Sequence, residues 1–275
     1  MSVLTEPKID CHNHVTDPAR FPYQPDTPYR PAGAEIGTAA QFQAVCDTYN
    51  VRHALIVGPN SGYGMDNRCL LDIIRQGGGR FKGIAVVAND APIAELEALQ
   101  AAGIVGVAIN PTIHGVAYYR NIGGLLDRLA GLDMFLQIQT EHAILVELMP
   151  LLESTRVKLL IDHCGRPDIT AGVTQPGFQA LLALGRSGRA SVKISGFGKF
   201  TAEPFPHADT WPYVRALVDA FSLDRCVWGS DWPYLRATQR IDYGPLVVLA
   251  ERLFPDPAER RKLFWVTPRR LFDFT

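Results

Sequence analysis

The chain has 275 residues, 47% of them apolar and 20% charged, with a formal net charge of −1. That size and balance describe a folded protein with a sizeable core, and suit one α/β barrel. The near-neutral charge offers no electrostatic footprint for nucleic acid or an anionic membrane surface, and no apolar run approaches the roughly 18 residues of a membrane helix.

At the N-terminus, MSVLTEPKID has no basic stretch leading into an apolar run, so it reads as carrying no secretory signal. The five cysteines are odd in number, scattered and without a CxxC pair, which predicts reduced core thiols in a cytoplasmic protein. Eight short apolar or β-branched runs follow in chain order, near 8–12, 53–58, 83–88, 104–110, 133–139, 157–163, 190–196 and 225–230. Between them apolar residues recur at helical spacing, as in Phe42-Val45-Tyr49, Leu70-Ile73-Ile74, Ile93-Leu96-Leu99 and Val214-Leu217-Val218-Phe221. Strand alternating with helix predicts βα units on a parallel sheet. Eight units predict a closed, distorted (β/α)8 TIM barrel of the α/β class, a single domain over 1–275 with closing helices at about 240–275. No GxGxxG follows the first strand, which counts against an open doubly wound sheet. Residues 17–35 carry Pro18, Pro22, Pro25, Pro28 and Pro31, and predict one long irregular loop after the first strand.

His12 and His14 stand two apart at the end of the first strand, so an extended chain turns both imidazoles to one face. Asp162-His163 ends the sixth strand and Ser230-Asp231 the eighth. Active sites of such barrels lie at the C-terminal strand ends, and the first and eighth strands become neighbours on closure. His12, His14, His163 and Asp231 are therefore expected to converge. Three imidazoles and a carboxylate can hold one divalent ion such as Zn²⁺ and leave a position for water. Without a metal, the same carboxylate can act as general base on water while the histidines donate hydrogen bonds to the substrate. Each residue alone has a plainer reading: a strand-end histidine is commonly structural, and Asp162 or Asp231 could cap the helix that follows. Gln137 and Gln139 on the fifth strand and Lys193 and Ser195 on the seventh leave no histidine there for a second metal.

The segments Asp10-Cys11-His12-Asn13-His14-Val15, Ile161-Asp162-His163-Cys164-Gly165-Arg166-Pro167 and Trp228-Gly229-Ser230-Asp231-Trp232-Pro233 together resemble the amidohydrolase superfamily. The nearest branch is the one containing 2-pyrone-4,6-dicarboxylate lactonase and the sugar lactonases. Phe21-Pro22-Tyr23, Tyr29-Arg30-Pro31, Gly64-Met65-Asp66-Asn67 and Phe81-Lys82-Gly83-Ile84-Ala85-Val86-Val87 match the same branch. The resemblance implies hydrolysis of a carboxylic ester, usually a lactone. It makes Asp231 the base that activates water, and His12, His14 and His163 the groups that polarise the carbonyl or, with Asp231, hold a metal. The cofactor is then one divalent ion, zinc or manganese, or none.

The same resemblance makes Tyr29 a substrate contact. Ser61, Tyr63, Asn110, Lys199 and Trp232 are further candidates to touch a small-molecule substrate. Where that branch carries substrate-holding arginines, this chain has Ala108, then a position near His114, then Lys199. Losing bidentate guanidinium groups predicts weak binding of a dicarboxylate. Two rival readings stand beside the lactonase: a metal-dependent decarboxylase of an aromatic or enol acid, and a non-catalytic ligand-binding barrel.

Overall fold

The computed structural model describes residues 2–275. Eight parallel strands form one sheet in sequence order. They are β1 (Lys8–Asn13), β2 (Val51–Val57), β3 (Phe81–Ala85), β4 (Ile104–Ile109), β5 (Phe135–Ile138), β6 (Lys158–Ile161), β7 (Ala190–Ile194) and β8 (Cys226–Trp228). Helices lie between them, and the expected TIM barrel is the observed fold. Ala54-Leu55-Ile56-Val57 is buried on both faces, one to the helices and one to the lumen. This is why these strands read as continuous apolar runs.

The ring closes through the segment after β8 rather than through β8 itself. Asn13 bridges Trp232. The His14 N–H donates to the Trp232 carbonyl at 2.7 Å, and the Asp231 N–H donates to the His12 carbonyl at 2.7 Å. Asp231 is thereby tied to the histidine pair by backbone.

A bulge in β1 decides which side chains enter the lumen. Asp10 pairs with Ala54 and Asn13 with Ile56, so three steps on β1 match two on β2. The extra residue reverses the alternation. Ile9 and Cys11 therefore point into the barrel, Asp10 points out, and His12 and His14 point in again. The outward Asp10 carboxylate latches the closure: it accepts from the Ser230 N–H (2.9 Å), the Ser230 hydroxyl (2.6 Å) and the Tyr243 hydroxyl (3.0 Å).

The lower lumen is apolar. Ile9, Cys11, Leu55, Ile84, Phe135, Leu160 and Val227 pack there with Phe272 and Phe274 of the C-terminal segment. The Phe272 ring lies 5.2 Å from that of Phe135, at the start of β5. Lys82 Nζ holds the carbonyls of Phe272 (2.8 Å) and Asp273 (2.7 Å). This segment follows helices at Tyr243–Leu253, Pro257–Arg261 and Thr267–Leu271.

Candidate active site

Above the apolar layer the lumen turns polar. Register carries the same inward face from Phe135 to Gln137 on β5, and from Ser191 to Lys193 on β7. Lys193 is fully buried. Its Nζ lies 3.1 Å from Asp162 Oδ1 and 3.0 Å from His12 Nδ1, and donates to Gln137 Oε1. Gln137 Nε2 donates in turn to Asp162 Oδ2 at 2.9 Å. A buried ammonium needs such partners, because desolvation without them costs several kcal/mol. Burial pushes the Lys193 ammonium below its ordinary pKa, and Asp162 opposes the shift.

The three histidines sit on this layer. His14 Nδ1 donates to the Val57 carbonyl (2.9 Å), so its Nε2 presents a lone pair to the lumen. His163 Nδ1 meets the Ser195 hydroxyl at 3.0 Å. All three Nε2 atoms face one oxygen, Asp231 Oδ1, at 3.8 Å from His12, 3.8 Å from His14 and 3.7 Å from His163. Burial pushes His12 and His163 well below the usual imidazole pKa, reinforced by Lys193 at His12 and by His12 at His163. Burial lowers His14 too, partly offset by Asp231. Burial alone would raise Asp231, but Lys199, His163 and His14 outweigh it and leave the carboxyl below its ordinary range. Lys199 Nζ is 3.2 Å from Asp231 Oδ2. At neutral pH the site therefore holds neutral imidazoles and a carboxylate.

His12 has two tautomers with different uses. Its Nδ1 lies 3.2 Å from Asp162 Oδ1 as well as 3.0 Å from Lys193 Nζ. If Nδ1 accepts from Lys193, Nε2 carries the proton and can donate to His14 Nε2, 3.2 Å away, or to a substrate oxygen. If Nδ1–H donates to Asp162, two lone pairs face each other at 3.2 Å, which only a cation between them makes favourable. The donor set fits such an ion. His12, His14 and Asp231 form one compact trio of ligand atoms. Their 3.2–3.8 Å separations bracket the roughly 3.4 Å expected for tetrahedral ligands about 2.1 Å from zinc. Each outer nitrogen already has a partner to orient its ring, as metal-binding histidines require.

Close backbone packing holds the arrangement. A Cβ at Gly229 would lie 2.7 Å from His12 Cβ, and one at Gly196 would lie 2.4 Å from His163 Nδ1. Asp231 (φ 61°) and His163 (φ 50°) occupy the left-handed region, which aims their side chains inward at some cost in strain. Asp162 precedes the turn His163–Gly165 without capping it by its side chain, which is committed to His12, Lys193 and Gln137 instead.

The site opens into a cavity of about 520 Å³. Of the residues expected to contact substrate, Ser61, Asn110 and Lys199 line it, beside His14, His163 and Asp231. Tyr29, Tyr63 and Trp232 do not. The Tyr29 hydroxyl donates to Glu35, and its ring lies under Arg236, 5.5 Å from the guanidinium. The Tyr63 hydroxyl accepts from the Asp17 N–H at 2.9 Å, and its ring borders a neighbouring cavity. Trp232 packs on Phe42 and over Gly37. Arg166 and Arg236 line the cavity as well, so the wall carries cations although Ala108 stands on β4. The buried network of Lys193, Asp162 and Gln137 was not legible as part of the site. One signal was present: a lone charge inside the apolar run Ser191-Val192-Lys193-Ile194.

The amidohydrolase family model matches residues 9–274. The chain belongs to the amidohydrolase family. Within that family it is 31% identical over 273 residues to a 4-sulfomuconolactone hydrolase of Rhizobium radiobacter, covering 96% of this chain and 89% of the relative. It is 29% identical over 277 residues to a 2-pyrone-4,6-dicarboxylate hydrolase of Comamonas testosteroni, with the same coverage of both chains. Among solved structures, a probable 2-pyrone-4,6-dicarboxylic acid hydrolase of Acinetobacter baumannii with citric acid bound superposes with a TM-score of 0.86 at 28% identity, covering 97% of this chain and 99% of that one.

Proposed function

We propose that this amidohydrolase opens a small lactone with water, and that Asp231 is the general base. The observation that carries the reading is the meeting of three imidazole Nε2 atoms at one Asp231 oxygen, in a cavity walled by Lys199, Arg166 and Arg236. Asp231 takes a proton from water as the water oxygen attacks the carbonyl carbon. The oxyanion forms where His12 Nε2–H, His163 and the Lys199 ammonium can meet it, in a site preorganised for negative charge. Collapse breaks the bond from the acyl carbon to the ring oxygen. That oxygen leaves as an alcohol after recovering the proton from Asp231, and the product is a hydroxy acid. The cationic wall suits a substrate that carries an anionic group.

A divalent ion held by His12, His14 and Asp231, with His163 at hand, would add Lewis-acid polarisation of the carbonyl. Elemental analysis and chelator sensitivity separate the two forms of the enzyme. The five cysteines, all buried and free, support a reducing compartment such as the cytoplasm.

A panel of carboxylate-bearing lactones, assayed with wild type and Asp231→Asn, tests the reading. Removal of the base is expected to lower kcat by about 10²–10⁴-fold. Wild-type rates in the variant reject the assignment. A decarboxylase would need a further acid/base histidine, and β7 with the residue that follows it presents Lys193 and Ser195 to the lumen instead. A pure binder would gain nothing from a carboxylate held ionised in a buried site, since keeping it so opposes desolvation.

A further inference from the structure

A second cavity, also of about 520 Å³, adjoins the first. Asn60 and Ala108 stand in the walls of both. Ala108 is a barrel-strand residue left partly accessible, because only a methyl group fills its place on the inward face. Beyond it the wall is apolar and aromatic: Met65, Val86, Val87, His114 and Tyr118. The His114 and Tyr118 rings stack at 5.0 Å and 30°, and Tyr119 meets Tyr118 edge-on at 4.9 Å. Met65 is 57% exposed and Tyr118 51%, so two of the few large exposed apolar side chains border this one cavity. Burial lowers the pKa of His114, so it brings no charge at neutral pH. The charged groups there are Asp26 and Asp66, the latter paired with Arg68 at 2.7 Å, so the wall presents no cation to an anion. The two cavities thus differ in kind: the first has three cations in its wall, Arg166 paired with Glu141 at 2.9 Å, Lys199 with Asp231 at 3.2 Å, and Arg236, whereas the second has rings and carboxylates and, among the described residues, no cation.

We propose that the second cavity is a substrate subsite for a flat, apolar substituent, and that the lactone carries such a group on the side of the ring away from its anionic group. The cationic wall takes the anion, the histidine centre takes the carbonyl, and the substituent passes Ala108 to lie against His114 and Tyr118. Apolar walls with few polar groups are what such a substituent needs, and planar rings favour offset or edge-on contact. The inference rests on the lactonase reading for the placement of the carbonyl, but its test does not depend on turnover.

Calorimetric titration compares tetrahydropyran-2-carboxylate with its 6-phenyl derivative. Both are cyclic ethers without a ring carbonyl and have no ester bond to hydrolyse. The phenyl compound is expected to bind at least about tenfold more tightly, as removal of a phenyl ring from water would produce. Tyr118→Ala, which removes half-exposed surface, and Ala108→Leu, which narrows the passage, should each cut that preference to about threefold or less. Equal affinity for the two ethers, no binding of the phenyl ether, or a preference that survives both substitutions overturns the subsite. Matched lactones with hydrogen or phenyl at the same position are assayed in parallel. Phenyl preference in binding with neither lactone hydrolysed keeps the subsite and removes the hydrolase reading.

Discussion

The lower and upper halves of the barrel lumen are built from the same eight strands, yet they follow opposite rules. Below, Ile9, Leu55, Ile84, Phe135, Leu160 and Val227 interlock with Phe272 and Phe274, and nothing in the layer needs a partner. Above, the inward groups are mostly polar and depend on one another: Gln137 on Asp162, Asp162 on Lys193 and His12, the histidines on Asp231. Apolar layers tolerate substitution in proportion to volume. A buried ionic layer fails when one member is removed, because the remaining charge is left without solvent or partner. The bulge in β1 helps to divide the two, since it places Cys11 and His12 on the same side at the border between them.

Removing Lys193 is the strongest way to break this contrast. Lys193→Met keeps an unbranched apolar stem one atom shorter but strands the Asp162 carboxylate, which is 1% exposed. Destabilisation of about 3–5 kcal/mol is expected in denaturant unfolding. The double variant Lys193→Met/Asp162→Leu should recover most of that stability, since it removes both charges together. It should not recover kcat, because His12 Nδ1 then has neither of the groups that set its tautomer. A double variant with wild-type kcat would show that the network acts on folding alone.

Phe272→Ala sharpens the contrast from the other side. The ring is 2% exposed and fills the N-terminal end of the lumen, so its loss should cost about 3–4 kcal/mol by leaving a cavity. At 25 °C the folded enzyme should keep its kcat and KM, because the polar layer does not touch this ring. A changed kcat would mean that packing below sets the geometry above.

The same contrast governs what could be read in advance. The strands were legible because buried parallel strands are apolar on both faces, and Leu159-Leu160-Ile161 carries that mark without its neighbours. His12, His14, His163 and Asp231 were legible because strand ends in a barrel must share one mouth. The bulge was not: no residue in Asp10-Cys11-His12-Asn13 demands it, and it appears only when β1 pairs with β2. Lys193 carries no ligand signature in the sequence, because a lysine in an apolar strand reads as a surface charge, yet it lies at 0% exposure, a rare state for that residue. Tyr29 follows from the resemblance and Tyr63 and Trp232 from nearness to strand ends along the chain, whereas the path of a loop depends on distant contacts. Thr16 holds Gly37 at 2.9 Å and Tyr23 holds the Pro31 carbonyl at 2.9 Å, so the loop folds Tyr29 onto Glu35 rather than into the cavity.

The smallest expected effect probes the upper half by pH, because three imidazoles are buried there. His12, His14 and His163 all have pKa values below the ordinary 6.5 in the folded chain, burial being the first cause in each. In the unfolded chain they take up protons near 6.5. Below that pH the unfolded state binds more protons than the folded state, so stability falls as pH falls and is regained as pH rises. An imidazole that stays neutral in the folded state loses about 0.7 kcal/mol between pH 7 and pH 6, and three together lose about 2 kcal/mol. Urea unfolding of chelator-treated protein at the two pH values measures this directly. His163→Asn, which cannot titrate, should reduce the loss by about 0.7 kcal/mol, its single-imidazole share. A wild-type stability that is level across the interval would place the imidazoles in contact with solvent or with a partner that favours their charged form, and the division between an inert lower lumen and a responsive upper one would fail.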